Sequence, residues 1–209
     1  MVYEWKRAEK RFYLPGTKPE LIRIPAFRFF SIEGKGDPND KLFAEYVGVL
    51  YSLSYGVKMS PRKGFVPEGY YEYTVYPLEG VWDISDEAKV EQSDRLDKST
   101  LKFKLMIRQP DFVTQKFAED IISLTKKKKP HPLLEPVTFN TFEEGNCIQM
   151  MHVGSYDDEP VSFRTMEDFC LENKIRRESK IHREIYLSDP RKVSTDKLKT
   201  VLRFKITLP

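Results

Sequence analysis

The residue types and spacing best suited to chemistry lie near the C-terminal end, in Lys180-Ile-His-Arg-Glu-Ile-Tyr-Leu-Ser-Asp189. Ile181, Ile185 and Leu187 alternate with His182, Glu184 and Tyr186, which predicts a short β-strand. Strand side chains alternate faces, so Glu184 shares one face with a histidine and a tyrosine, while Arg183 falls among the apolar residues. A carboxylate among aromatic rings suits a delocalised cation, which is drawn both to the charge and to the ring faces. The same carboxylate can hold a water, as general base, for attack on a strained electrophilic ring. The ordinary alternative is a solvated strand face on which Glu184 pairs with Lys180 or with a base on a neighbouring strand.

Other candidates are read against their structural alternatives. Tyr186 lies two residues beyond Glu184, and Tyr76 stands at the equivalent place earlier in the chain. Two such tyrosines can form opposite walls of a cage, or simply pack across strands. Trp82, in Leu78-Glu-Gly-Val-Trp82, flanks a pocket mouth or pins a connection, and Glu79 stands close by. Asp158 and Glu159, just before Pro160, read as helix caps rather than catalysts. They and Glu79 are nevertheless the available second carboxylates. His152 and His182 with Glu184 lack the spacing of a known ligand motif, so no metal and no cofactor are expected. Cys170 falls on an apolar helical stripe, where a thiol packs. Gly34-Lys-Gly-Asp-Pro38 lacks the remaining glycine and Lys-Ser/Thr of a phosphate loop.

Composition narrows the class. The net charge of +3 over 209 residues implies no nucleic-acid partner. Lys126–Lys129 is a basic run, yet it sits where a helix C-terminus favours cations. Two cysteines without metal or disulfide spacing read as free thiols of a reducing compartment. The start of the chain carries charges where a signal peptide needs an apolar run. The most apolar stretch, Tyr46–Val57, is too short to span a bilayer. The expectation is a soluble, cytoplasmic protein with no membrane partner.

The elements that must position these residues follow from pattern. Residues 1–20 read as a charged arm ending in Pro15-Gly16 and Pro19. Glu20–Gly34 reads as a strand whose Pro25 marks an edge or bulge. Asp37-Pro38 is placed to start a helix carrying Leu42, Phe43, Tyr46, Val49, Leu50 and Leu53, with Gly56 as its stop. Strands are expected at Tyr70–Pro77 and Leu101–Arg108, joined by an acidic connection over Leu78–Ser99. Asp111 can cap a linker helix that ends at the lysines and Pro130, before a Pro-rich connector. Then the order repeats: a strand over Asn146–Val153, a turn and Pro160, a helix with Phe163, Met166, Phe169 and Cys170, and strands over Ile181–Leu187 and Val201–Leu208. The expected fold is α+β, two strand–helix–strand–strand repeats with pseudo-two-fold symmetry and a pocket between them. Its expected bounds are an arm at 1–20 and a single domain at 21–209. Within that domain the repeats cover about 21–109 and 143–209, with the linker helix and connector at 110–142.

The duplicated unit, Glu143-Glu-Gly-Asn-Cys-Ile-Gln-Met-Met-His-Val-Gly-Ser-Tyr-Asp-Asp-Glu-Pro160 and Arg183-Glu-Ile-Tyr-Leu-Ser-Asp-Pro190 together resemble the GyrI-like small-molecule-binding family. Lys18-Pro-Glu-Leu-Ile22, Gly34-Lys-Gly-Asp-Pro-Asn39 and Tyr76-Pro-Leu-Glu-Gly-Val-Trp82 are similar to its stand-alone branch, which lacks a DNA-binding module. The resemblance runs from about residue 18 to the end. It implies a pocket lined by aromatics, with an acid on a strand of the second repeat that recognises planar, cationic xenobiotics; Glu184 stands at that position. One stand-alone subfamily hydrolyses cyclopropane-bearing DNA-alkylating compounds with an aromatic cage and carboxylates. That reading assigns Glu184 to catalysis and Tyr76, Trp82, Tyr156 and Tyr186 to ligand binding. Tyr156 is otherwise a turn aromatic covering a helix start. Other relatives sense drugs or bind DNA gyrase, so a non-catalytic sequestering or sensing module and an interaction protein are the alternatives.

Overall fold

The structure is a computed structural model and describes residues 2–84 and 98–208. Its helices are α1 (Trp5–Ala8), α2 (Lys10–Tyr13), α3 (Lys41–Lys58), α4 (Gln115–Lys128) and α5 (Glu159–Glu172). Its strands are β1 (Glu20–Ile24), β2 (Phe27–Lys35), β3 (Leu78–Ile84), β4 (Leu101–Gln109), β5 (Thr138–Phe142), β6 (Gly145–Val153), β7 (Arg176–Arg177), β8 (His182–Tyr186) and β9 (Lys199–Thr207). The fold is α+β, and strand–helix–strand–strand occurs twice, as β2-α3-β3-β4 and, with the two-residue β7 inserted after the helix, as β6-α5-β8-β9. Two compact units result. The first comprises residues 1–4, 27–78 and 82–142; the second comprises 5–26, 79–81 and 143–209.

In the first unit β2 lies between β4 and β5, antiparallel to both. The strand expected over Glu20–Gly34 is broken at Pro25-Ala26, because proline cannot donate to a ladder. Its first part, β1, joins β6 of the second unit instead. The helix expected from Asp37-Pro38 begins at Lys41. Asp37 closes a turn by accepting from the Asn39 N–H at 2.8 Å, and Asp40 takes the cap position. Gly56 does not stop that helix. A Cβ there would meet Ile121 Cγ2 at 3.1 Å, so glycine serves close approach of α3 to α4. Thr114, rather than Asp111, caps α4, accepting from the Phe117 N–H at 3.2 Å.

The strand expected at Tyr70–Pro77 is absent. Among the described residues that stretch makes one bridge, Tyr73 to Tyr3, and packs its rings against Phe112. Aromatic propensity favours extended backbone, but a strand also needs a ladder partner, and here the ladder belongs to β3. Trp82 therefore sits in a strand, not in a connection; the rest of the expected acidic connection, 85–97, lies outside the described residues.

In the second unit the antiparallel order is β1-β6-β9-β8, with Glu79–Val81 beyond β8. Residues paired across a ladder point to the same face. Glu184 lies opposite Leu202, which belongs to the apolar core under α5 with Ile148, Met150, Met166, Cys170, Phe204 and Ile206. Glu184 therefore points toward α5, and Arg183, opposite Arg203, points away from it. Arg183 is buried, so both faces of β8 are covered, while Ile181, expected on its apolar face, lies outside the strand and is exposed. Among the described residues no helix is long and apolar enough to cross a membrane.

Candidate functional site

On the face of β8 away from α5, four buried charged groups hold the strand. Arg183 Nη1 donates to Glu79 Oε2 at 2.5 Å, and its Nε lies 3.0 Å from Glu144 Oε1. Arg203 Nη1 donates to Glu144 Oε2 at 2.9 Å, and its Nε and Nη2 reach Gln149 Oε1 at 3.1 and 2.8 Å. Burial alone would push the Glu144 carboxyl up, but Arg183 and Arg203 outweigh it and hold it below the usual range. The arm closes this layer. Arg203 Nη2 donates to Phe12 O at 2.6 Å, Gln149 Nε2 donates to Arg11 O at 2.9 Å, and Trp5 and Tyr13 are buried. Glu79 is thus committed to Arg183 and is not the second carboxylate of the site.

On the α5 face the strand presents its chemistry. Glu184 is buried, and its two oxygens take different donors: His182 Nε2 lies 3.1 Å from Oε1, and the Tyr186 hydroxyl donates to Oε2 at 2.8 Å. His182 Nδ1 faces Lys180 O at 3.2 Å, and its ring packs edge-on against Phe163 of α5 at 4.6 Å. Lys180 pairs with Glu167 at 2.7 Å, which leaves the exposed alternative for Glu184 unfilled.

The second carboxylate comes from α5. Glu159 is its first residue, 6% exposed, with its carboxyl hydrogen-bonded to that of Glu184. Burial, then the charge of Glu184, then that hydrogen bond push Glu159 far above the ordinary carboxylate range. One proton is therefore shared by the two buried carboxyls at neutral pH. Asp158 stands at the expected N-cap of α5, though its side chain makes no cap hydrogen bond, while Glu159, in the first turn, is bonded to Glu184 instead of capping.

The turn before α5 sets this geometry. His152 Nε2 lies 2.9 Å from Ser155 O, a carbonyl that can only accept, so Nε2 carries the proton; Nδ1 lies 2.9 Å from Ser162 Oγ. Gly154, at φ +139°, makes the bend that a side chain would strain. The turn carries Tyr156, 38% exposed, whose ring meets Tyr186 edge to face at 6.1 Å and 86°. Burial, with Glu159 and Glu184 nearby, pushes the Tyr156 hydroxyl up to about 12, so it remains a neutral donor.

Of the residues singled out by sequence, Glu184, Tyr186 and Tyr156 gather in the second unit. Tyr76 and Trp82 belong to the first unit. Tyr76 is buried with the Arg108 guanidinium 4.6 Å from its ring centre. Trp82 stacks on Phe43 at 5.9 Å and meets Phe103 at 5.6 Å. The sequence offered Glu159 as one of three second carboxylates but favoured a cap for it; the one local signal for the pair is that acid stands at the helix start where the first repeat has Lys41. Two surface cavities have other linings. One of 390 Å³ is bordered by Arg28, Thr114 and Asn140, and one of 600 Å³ by Lys10, Leu14 and Arg23. The acid pair itself is covered, with the partly exposed Tyr156 beside it.

The family model of the GyrI-like small molecule binding domain matches residues 17–207. The crystal structure of a hydrolase from Listeria innocua is 36% identical, spans 98% of this chain and 100% of its own, and superposes with a TM-score of 0.87. An uncharacterized conserved protein from Listeria innocua is 37% identical, with coverage of 98% and 100% and a TM-score of 0.88. The C-terminal domain of EcmrR, at 10% identity and a TM-score of 0.57 over 92% of this chain and 98% of its own, shares the fold. Among curated proteins no sequence matches.

Proposed function

The chain belongs to the GyrI-like small-molecule-binding family, and on that premise we propose that the acid pair of the second unit is where its ligand is held and hydrolysed. The ligand class is a planar aromatic xenobiotic carrying a strained, electrophilic cyclopropane activated by a conjugated carbonyl. The observation that carries this reading is the buried pair itself, the carboxyls of Glu159 and Glu184 hydrogen-bonded to each other away from water. Such a pair supplies a general acid and a general base within one hydrogen bond. The Listeria innocua relative, a hydrolase at 36% identity over nearly the whole chain, supports the same reading.

The reaction balances with the residues present. Glu184 takes a proton from water as the water oxygen bonds to a ring carbon. The strained carbon–carbon bond breaks, and its electron pair passes to the conjugated carbonyl oxygen, which takes the Glu159 proton. The hydrogen bond between the two carboxyls then returns the proton to Glu159. His182 and Tyr186 keep Glu184 aimed, since each carboxylate oxygen still has a second lone pair for the water. Tyr156 and Tyr186 offer ring faces to the flat ligand, which enters by displacing Tyr156.

The test is incubation with a cyclopropane-bearing alkylator, following ring opening in wild type, Glu184→Gln and Glu159→Gln. Wild type opens the ring, and each variant slows it by about a hundredfold or more. Equal consumption by wild type and Glu184→Gln removes the catalytic reading. The tyrosines beside a carboxylate favour a second reading, a module that sequesters or senses planar cations without turnover. Saturable dye binding that Glu184→Ala weakens, with no product formed, selects it.

A further inference from the structure

The carboxyl of Glu159 is only half used by the protein. It is 6% exposed and bonded to Glu184, yet its Oε1 has no hydrogen-bond partner among the described residues. Buried oxygens of this kind are ordinarily satisfied, because leaving one unmet costs as much as a lost hydrogen bond. Two neighbouring donors are committed elsewhere: Tyr186 gives its hydroxyl proton to Glu184 Oε2, and His182 faces Glu184 Oε1 and Lys180 O. Oε1 is therefore left as an open acceptor.

We propose that Glu159 Oε1 is a specificity element kept for the ligand, so that the site prefers planar cations bearing an N–H over equally planar cations whose ring nitrogen is fully alkylated. This rests on the acid pair being the ligand site. Attraction to Glu184 and to the faces of Tyr156 and Tyr186 depends on charge and flatness alone, and both kinds of cation share these. Only an N–H ligand can also satisfy Oε1; an alkylated one buries it still unmet.

Calorimetric titration with 9-aminoacridine, protonated at neutral pH, and with 10-methylacridinium separates the two terms. Wild type is expected to bind 9-aminoacridine about tenfold or more tightly than the methylated dye. Glu159→Gln keeps a carbonyl acceptor at that place and keeps the preference. Glu159→Leu removes the acceptor and brings the two dyes to the same affinity. Equal affinities in wild type, or a preference that survives in Glu159→Leu, overturn the inference while leaving the site in place. Dye binding that Glu184→Ala does not weaken, or no saturable binding of either dye, overturns the site and the inference together.

Discussion

Replacing Glu159 by glutamine should make the protein more stable at alkaline pH, by an amount that grows with pH. A carboxyl whose pKa is raised by folding binds more protons folded than unfolded. Stability is then full below the ordinary value of 4.5 and is lost as pH climbs toward the raised one. One extra bound proton gives a slope of about 1.4 kcal/mol per pH unit. Between pH 6 and pH 8 wild type should therefore lose about 2.7 kcal/mol relative to Glu159→Gln, whose amide donates to Glu184 without titrating. For a chain of this length that is a relative fall in melting temperature of roughly 5–10 °C. Thermal melts of both proteins across that range provide the assay, read as the difference between them so that other titrating groups cancel. A difference that stays constant with pH refutes the shared proton.

Three further outcomes follow from the same geometry. Arg183→Met leaves Glu79 and Glu144 facing each other without their common cation and should cost about 3–5 kcal/mol in denaturant melts, although a buried ion pair is not in itself a large net stabiliser. Tyr186→Phe removes a charge-assisted bond to Glu184 and should cost about 1.5–3 kcal/mol by the same measurement. Gly34→Ala would push a methyl group into the Phe103 ring, which packs against Phe43, Tyr46 and Trp82; it should destabilise by about 1–3 kcal/mol and shift the tryptophan emission.

What the sequence disclosed was whatever depends on periodicity. The alternation around Glu184 and the stripe of Met166 and Cys170 marked β8 and α5, and the repeated order marked the α+β fold. Partner choice was hidden, because it depends on contacts distant in the chain. Nothing local in Tyr70–Pro77 says that its ladder position goes to Leu78–Ile84, and nothing in Glu20–Ile24 says that it pairs with β6 rather than continuing into β2. The site shows the same division. Parity placed Glu184 and Tyr186 together, but Glu159 looked like a cap, since an acid before proline at a helix start has that ordinary use. Its actual partner lies 25 residues on and is found only once the β8–β9 register turns Glu184 toward α5. Arg183 looked anomalous among apolar neighbours for a related reason, its two carboxylate partners coming from Glu79 and Glu144.

The claim that the Glu159–Glu184 pair is the ligand site is tested most directly by nuclear magnetic resonance of glutamate labelled with ¹³C at its side-chain carboxyl, titrated with a planar aromatic cation. Glu159→Gln and Glu184→Gln assign the two resonances. At neutral pH Glu159 should resonate as a protonated carboxyl, and saturating ligand should move its signal and that of Glu184 while the exposed glutamates stay in place. Ligand binding that leaves both signals where they were contradicts the assignment of the site.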